Sequence, residues 1–126
     1  MFLVDTSIFL EILLAQHKAE IGKRFLSVNL GNLCISDFSL HSVGIILFRE
    51  GKEEYFQLFV NDVMPKTKLL TLPEHLYGEL ASLKTTINLD FDDLYQFRVA
   101  KEFNLQVVTF DSHFSKVSNL ISVQLL

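Results

Sequence analysis

Aspartates follow three short apolar runs along the chain, at Asp5, Asp37 and Asp111. Short apolar runs of this kind are typical of buried strands. Because the strands of a parallel sheet all run the same way, acids that follow them collect at one edge, where open α/β folds place their sites. Carboxylates gathered at such an edge repel one another unless a cation lies between them. The pattern therefore predicts a site for a divalent metal ion.

A second group of acids, Asp90, Asp92 and Asp93, begins one predicted helix. Three acids within four residues exceed what compensation of the helix macrodipole requires. Asp93 shares a helix face with Phe97 and Ala100, and an acid that continues a buried stripe is costly unless it is paired or binds a metal. Asp92 lies about 100° away around the helix and is predicted to be solvated or to support the site from outside. Asp90 is the expected N-cap.

Two of the strand-end acids also have purely structural interpretations. Asp5 could cap the helix that follows it, although Thr6 or Ser7 could do so equally well. Asp111 could accept a hydrogen bond from the backbone of its own turn. Their positions at the carboxyl ends of predicted strands keep both acids as candidate metal ligands.

The composition describes a packed protein with no membrane or secretory segment. Its 126 residues suit one domain spanning 1–126, and a hydrophobic fraction of 49% argues against disorder. The lone Cys34 excludes an internal disulfide and suits the cytoplasm. Asp5 and Glu11 interrupt the apolar start, which argues against a signal peptide, and no uncharged stretch approaches the length of a membrane span. The net charge of −4 does not favour nucleic acid, so a metal or a basic patch must offset it.

Strands and helices are predicted to alternate along the chain. The predicted strands are 2–4, 33–35, 68–72, 106–110 and 123–126. The predicted helices are 7–16, 19–26, 38–49, 53–63, 73–84 and 91–103. Strands separated by helices form βαβ units with right-handed crossovers, so we expect an α/β fold with a parallel sheet between layers of helices.

Three segments together resemble the PIN domain family, and in particular the VapC-type toxin ribonucleases. The opening strand and Asp-Thr-Ser occupy residues 1–7, an acid followed by a helix with small residues occupies 93–100, and a Val-Thr-x-Asp-x-x-Phe pattern occupies 108–114. The resemblance covers the whole chain in order and length. It implies a three-layer α/β/α sandwich around a central parallel sheet of four to five strands.

The resemblance also implies a site and an activity. Asp5, Asp93 and Asp111 would be catalytic carboxylates that bind Mg²⁺ or Mn²⁺ for hydrolysis of RNA phosphodiesters. Hydroxyl side chains would support these ligands, namely Thr6, Ser7 and Thr109. A small antitoxin protein and a second copy of the chain, in a homodimer, would be the protein partners.

One position departs from the family pattern. The family usually carries a glutamate on the helix after the second strand, and Ser42 stands at that place. Asp37, which we interpret mainly as a helix-start acid, lies roughly 140° around the helix from Ser42, and His41 about 100°. The site therefore works with three acids, or Asp37, Asp92 or His41 compensates, or catalysis has been lost.

Three functions follow as alternatives. The first is a metal-dependent endoribonuclease, with phosphate contacts from among Lys23, Arg24, Arg49, Lys52 and Arg98. The second is a catalytically impaired PIN domain that binds nucleic acid or protein. The third, a phosphoacceptor receiver domain, is disfavoured because the chain has neither an acidic pair after its first strand nor a lysine after its last.

Overall fold

A computed structural model describes residues 1–126, and its centre is a five-stranded sheet. The strands are β1 (Phe2–Val4), β2 (Leu33–Ser36), β3 (Lys68–Leu70), β4 (Gln106–Thr109) and β5 (Val123–Leu125). They lie in the order β3-β2-β1-β4-β5, and every neighbouring pair is parallel. The predicted parallel sheet is therefore confirmed, with five strands.

Six α-helices connect and cover the strands. They are α1 (Thr6–Leu13), α2 (Ala19–Val28), α3 (Asp37–Arg49), α4 (Glu53–Asp62), α5 (Glu79–Ile87) and α6 (Phe91–Phe103). Short 3₁₀ segments occupy Met64–Lys66, Glu74–Leu76 and Ser112–Val117. No helix has the length and apolar character that a bilayer span requires.

Two predicted helix boundaries were wrong for local reasons. A helix was expected to begin at Pro73, but Pro73 is extended (ψ 136°) and a 3₁₀ turn follows it, so α5 begins only at Glu79. Helix α1 ends at Leu13 because Ala15 adopts the left-handed conformation, with φ 52°. The predicted boundaries of α6 are confirmed.

The core lies in two clusters, one on each face of the sheet. Successive strand residues point to opposite faces, so Leu3 and Val107 pack into one cluster and Val4 and Val108 into the other. The first cluster is covered by α5 and α6, and the second by α1, α2, α3 and α4. Helices therefore cover both faces, which confirms the α/β/α sandwich.

The sheet order creates a switch point between β1 and β4. The chain moves outward from β1 to β2 and β3, and then returns to the other side of β1 to form β4. Connections that leave in opposite directions open a crevice beyond the carboxyl ends of two adjacent strands. Asp5 lies at this crevice, where its backbone N–H donates to the carbonyl of Val108 at 2.9 Å.

Candidate metal centre

A cavity of about 190 Å³ lies at this crevice and is lined by four carboxylates. Asp5 follows β1, Asp92 and Asp93 stand in the first turn of α6, and Asp111 follows β4. The remaining lining residues are Thr6, Phe38, Ser42, Ile46 and Gln96. The fold thus brings together all three acids that were predicted as ligands.

Asp93 shows the electrostatic consequence of this crowding. Burial, which is the largest cause, and the negative charges of Asp92, Asp111 and Asp5 together raise the pKa of its carboxyl to about 7. The imidazole of His113 opposes the shift. The Asp93 carboxyl therefore keeps its proton to a much higher pH than an ordinary aspartate, and a divalent cation would offset the burial and repulsion that favour the proton.

A tighter group within the site comprises Asp93, Asp111 and His113. One potential ligand atom from each lies within 4.8 Å of the other two. His113 Nδ1 is 3.2 Å from Asp111 Oδ1, and the His113 backbone N–H donates to the same oxygen at 2.9 Å. Asp111 thus makes the predicted turn contact and also lines the cavity. Carboxylate oxygens suit Mg²⁺ or Mn²⁺, so the acids of this group fit a hard divalent cation.

Hydrogen bonds hold the Asp5 carboxylate in a fixed orientation, and the residue is only 8% exposed. Oδ2 accepts from Thr109 Oγ1 at 2.7 Å and from Ser7 Oγ at 2.9 Å. Oδ1 accepts only a longer bond, 3.3 Å, from Gln96 Nε2. Asp5 occupies the N-cap position of α1 but makes no capping bond with its side chain, so the capping interpretation is wrong for the carboxylate.

The supporting hydroxyls join the ends of β1 and β4. Ser7 Oγ accepts from the backbone N–H of Phe110 at 3.1 Å, and Thr109 Oγ1 accepts from that of Asp111 at 2.9 Å. Ser7 and Thr109 therefore orient Asp5 and anchor the segment that carries Asp111. Thr6 instead donates to Ser39 Oγ at 2.9 Å.

The three residues considered as replacements for the missing glutamate, Asp37, His41 and Asp92, do not all line the same cavity. Ser42 lines the cavity, at the place where the family acid was expected. Of the three candidates, only Asp92 shares that cavity. Asp37 and His41 line a different, apolar groove, which gives no support to the hypothesis that they compensate for Ser42.

Asp37 has a structural role that the sequence did not reveal. Its Oδ1 accepts from the Tyr95 hydroxyl at 2.5 Å and from the Phe38 backbone N–H at 2.8 Å. The Tyr95 hydroxyl in turn accepts from the backbone N–H of Leu72 at 3.0 Å. The cap of α3 is Ser36, whose hydroxyl accepts from the Ser39 N–H. Asp37 therefore ties α3 to α6 and to the end of β3.

Sequence reasoning also missed Gln96 and His113 as residues of the site. Gln96 is only 1% exposed and contacts both Asp5 and Ser39. Its spacing of three residues from Asp93 on a helix was the available signal, because such residues lie on neighbouring parts of one face. His113 had a weaker signal, its position two residues after Asp111.

A family model of the PIN domain matches residues 2–120 of the chain. The protein therefore belongs to the PIN domain family, as the three segments of the sequence indicated. No curated protein matches the sequence.

Solved structures with the same fold come from several organisms. A toxin–antitoxin complex from Klebsiella pneumoniae aligns with TM-score 0.76 and 14% identity, over 98% of this chain and 96% of that one. The Mycobacterium tuberculosis toxin VapC20, which cleaves the sarcin–ricin loop, aligns with TM-score 0.79 and 16% identity, over 91% and 93%. FitAcB from Neisseria gonorrhoeae gives TM-score 0.78 and 20% identity, over 98% and 96%. At these identities the likeness shows the fold.

Proposed function

We propose that this protein is an endoribonuclease that hydrolyses RNA phosphodiesters with Mg²⁺ or Mn²⁺. The observation that carries the proposal is the set of four carboxylates that line one cavity at the switch point of the sheet. Burial and the neighbouring acids together raise the pKa of one of them, Asp93, to about 7. Acids crowded in a crevice to the point of retaining a proton form an arrangement that a divalent cation stabilises.

Asp5, Asp93 and Asp111 would hold the cation. Once bound, such a cation activates water and stabilises the negative charge that develops on a phosphate. Ser7 and Thr109 hold the Asp5 carboxylate in one orientation, so little conformational entropy would be lost at this ligand on metal binding. His113, beside Asp111, is placed to reach the same centre.

The RNA phosphates require cations elsewhere on the surface, since the chain carries a net charge of −4. Lys23, Arg24 and Arg49 are exposed and remain candidates, together with the half-buried Lys52. Arg98 is a poor candidate because it is paired with two acids of the protein. Its guanidinium lies 2.8 Å from Glu79 and 3.2 Å from Glu102.

The proposal is tested by Mn²⁺ titration followed by RNA cleavage, with the wild type and Asp93→Asn compared at pH 8. We expect the wild type to bind Mn²⁺ and to cleave single-stranded RNA, and the variant to lose both. Glu79→Gln is the control, because it changes an acid outside the cavity. Cleavage that persists at the wild-type rate in Asp93→Asn would contradict the proposal.

A second candidate function is supported by Ser42. This residue places an uncharged hydroxyl where the family usually has a glutamate, so the centre has one charge fewer. A catalytically impaired PIN domain would still bind RNA or protein. In that case the wild type would show no cleavage at any Mn²⁺ concentration, and RNA affinity would be the same for the wild type and Asp93→Asn.

An antitoxin protein and a second copy of the chain are the proposed partners. The support is the groove between α3 and α4, where Ile45 and Phe48 expose more than half of their surface and Leu69 exposes 48%. Patches of exposed apolar side chains of this kind mark protein interaction sites. Light scattering of the purified protein tests the homodimer. The proposed location of the protein is the cytoplasm.

A further inference from the structure

Gln96 is the one buried side chain of the cavity whose hydrogen bonding is incomplete. Its Oε1 is buried and has no hydrogen-bond partner, although the residue lines the carboxylate cavity and is 1% exposed. Buried carbonyl oxygens are almost always paired with protein, water or an ion. In this orientation of the amide, Oε1 therefore lacks the partner that a buried carbonyl oxygen normally has.

The other end of the same amide faces Asp5. Gln96 Nε2 lies 3.3 Å from Asp5 Oδ1 and 2.7 Å from Ser39 Oγ. Two oxygens that share one Mg²⁺ lie about 3 Å apart, since Mg²⁺ holds its ligands octahedrally at about 2.1 Å. The amide end beside Asp5 thus occupies a position that suits a second ligand of the same cation.

The charge beside the amide decides which of its ends faces Asp5. Without a cation, the Asp5 carboxylate attracts the N–H, which leaves Oε1 unpaired. With a cation on Asp5 Oδ1, the same position favours the carbonyl oxygen. The terminal amide torsion of glutamine is soft, and Ser39 can donate through its hydroxyl as readily as it now accepts, so the reversed amide keeps its bond to Ser39.

We propose that Gln96 is an uncharged ligand of the metal centre, whose amide reverses on cation binding so that Oε1 lies beside Asp5 Oδ1. In this role Gln96 adds an oxygen ligand to a centre in which Ser42 stands in place of the family's usual carboxylate. The inference rests on the proposed metal-dependent function. It adds Gln96 as a further ligand to the three acids already proposed.

Two substitutions at position 96 test whether Gln96 binds the metal or has only a structural role. Gln96→Met keeps the volume and removes both polar ends, and we expect Mn²⁺ affinity to fall by about 10- to 100-fold, as when groups around a metal are lost. Gln96→Glu keeps an oxygen at the same reach, and we expect its Mn²⁺ affinity at pH 8 to equal or exceed that of the wild type. Affinity is measured by calorimetry and by the Mn²⁺ paramagnetic resonance signal.

A glutamine that only holds Asp5 through its N–H gives a different result. Gln96→Met would then remove only the 3.3 Å bond to Asp5 and leave every charge of the cavity in place, so Mn²⁺ affinity would fall by less than about threefold. A loss that small would overturn the inference. Gln57→Met is the matched control, since it makes the same change on the exposed face of α4.

The wild type provides a measurement that does not depend on the folding of any variant. Reversal of the amide predicts a Mg²⁺-dependent shift of the Gln96 side-chain NH₂ signal in ¹H–¹⁵N spectra, with the Gln57 signal unchanged. An unshifted Gln96 signal in a protein saturated with Mg²⁺ would overturn the inference while leaving the nuclease proposal intact. A wild type that binds neither Mg²⁺ nor Mn²⁺ would instead remove the proposed function itself.

Discussion

Asp5 and Asp37 begin from the same local pattern and reach different environments. Each follows a buried parallel strand and stands at the start of a helix. Asp5 follows the central strand β1, beside the switch point, and shares its cavity with three other carboxylates. Asp37 follows β2, one strand further out, and pairs with the Tyr95 hydroxyl. The position of a strand in the sheet, rather than the pattern around its aspartate, decides which acid lies among the other carboxylates.

The largest expected effect comes from the substitution of one aspartate at a time. Asp5→Asn should lower Mn²⁺ affinity by more than about 100-fold, which is the upper range for residues that only orient ligands. Asp37→Asn should leave it unchanged, because the amide oxygen can still accept from Tyr95. Calorimetry with Mn²⁺ measures both values. Equal losses in the two variants would show that the comparison between these acids is wrong.

Tyr95→Phe tests whether the contact between Asp37 and Tyr95 stabilises the fold. The variant loses the bond to Asp37 and leaves the N–H of Leu72, a residue only 1% exposed, without its partner. We expect the free energy of unfolding in urea to fall by about 2 kcal/mol, the cost of an unsatisfied buried polar group. Tyr55→Phe, at an exposed tyrosine of α4, is the control. A loss of Mn²⁺ affinity in the folded Tyr95→Phe protein would show that the two regions are coupled.

The pH dependence of metal binding should distinguish Asp93 from ordinary surface acids. Its pKa of about 7 means that protons compete with the cation below neutrality. Apparent Mn²⁺ affinity should therefore rise by up to about tenfold for each pH unit below 7 and level off above pH 8. An affinity that stays constant between pH 5.5 and 8 would contradict the raised pKa.

In the metal-free protein, Asp93 should make the free energy of unfolding fall as pH rises, whereas metal affinity rises with pH. A carboxyl whose pKa is higher in the folded state than in the unfolded state stabilises the fold when protonated, and this contribution is lost as pH rises through 7. Between pH 5 and pH 8 the wild type should therefore lose more stability than Asp93→Asn. Saturation with Mn²⁺ should remove most of the wild-type loss at pH 8.

The smallest expected effect concerns the hydroxyls that orient Asp5. Ser7→Ala removes the 2.9 Å bond to Oδ2 but leaves the shorter bond from Thr109 in place. Mn²⁺ affinity should fall by about fivefold, in line with a net hydrogen bond of about 1 kcal/mol. Ser27→Ala, on the exposed surface of α2, serves as the control. A loss as large as that of Asp5→Asn would mean that Ser7 itself binds the metal.

Much of the fold was predictable because its signals are local. The boundaries of α6 follow from an acidic start and a regular apolar face, and the five strands follow from short apolar runs between helices. The start of α5 was not predictable in this way, since proline fits either a helical first turn or an extended residue before a 3₁₀ turn. The conformation at Pro73 therefore depends on the packing around it and not on local sequence preference.

The sequence by itself determined the family, the order of the elements and the three acids that meet at the switch point. The tertiary structure alone decided which polar side chains face those acids. Gln96 contacts Asp5 across 91 residues of chain, and Tyr95 contacts Asp37 across 58. No periodicity or motif encodes such distances, because a hydrogen bond between elements depends on how helices α3 and α6 pack against the same sheet. The family pattern was enough to locate the missing acid at Ser42. Gln96 was not identified, because its contact with Asp5 depends on tertiary packing.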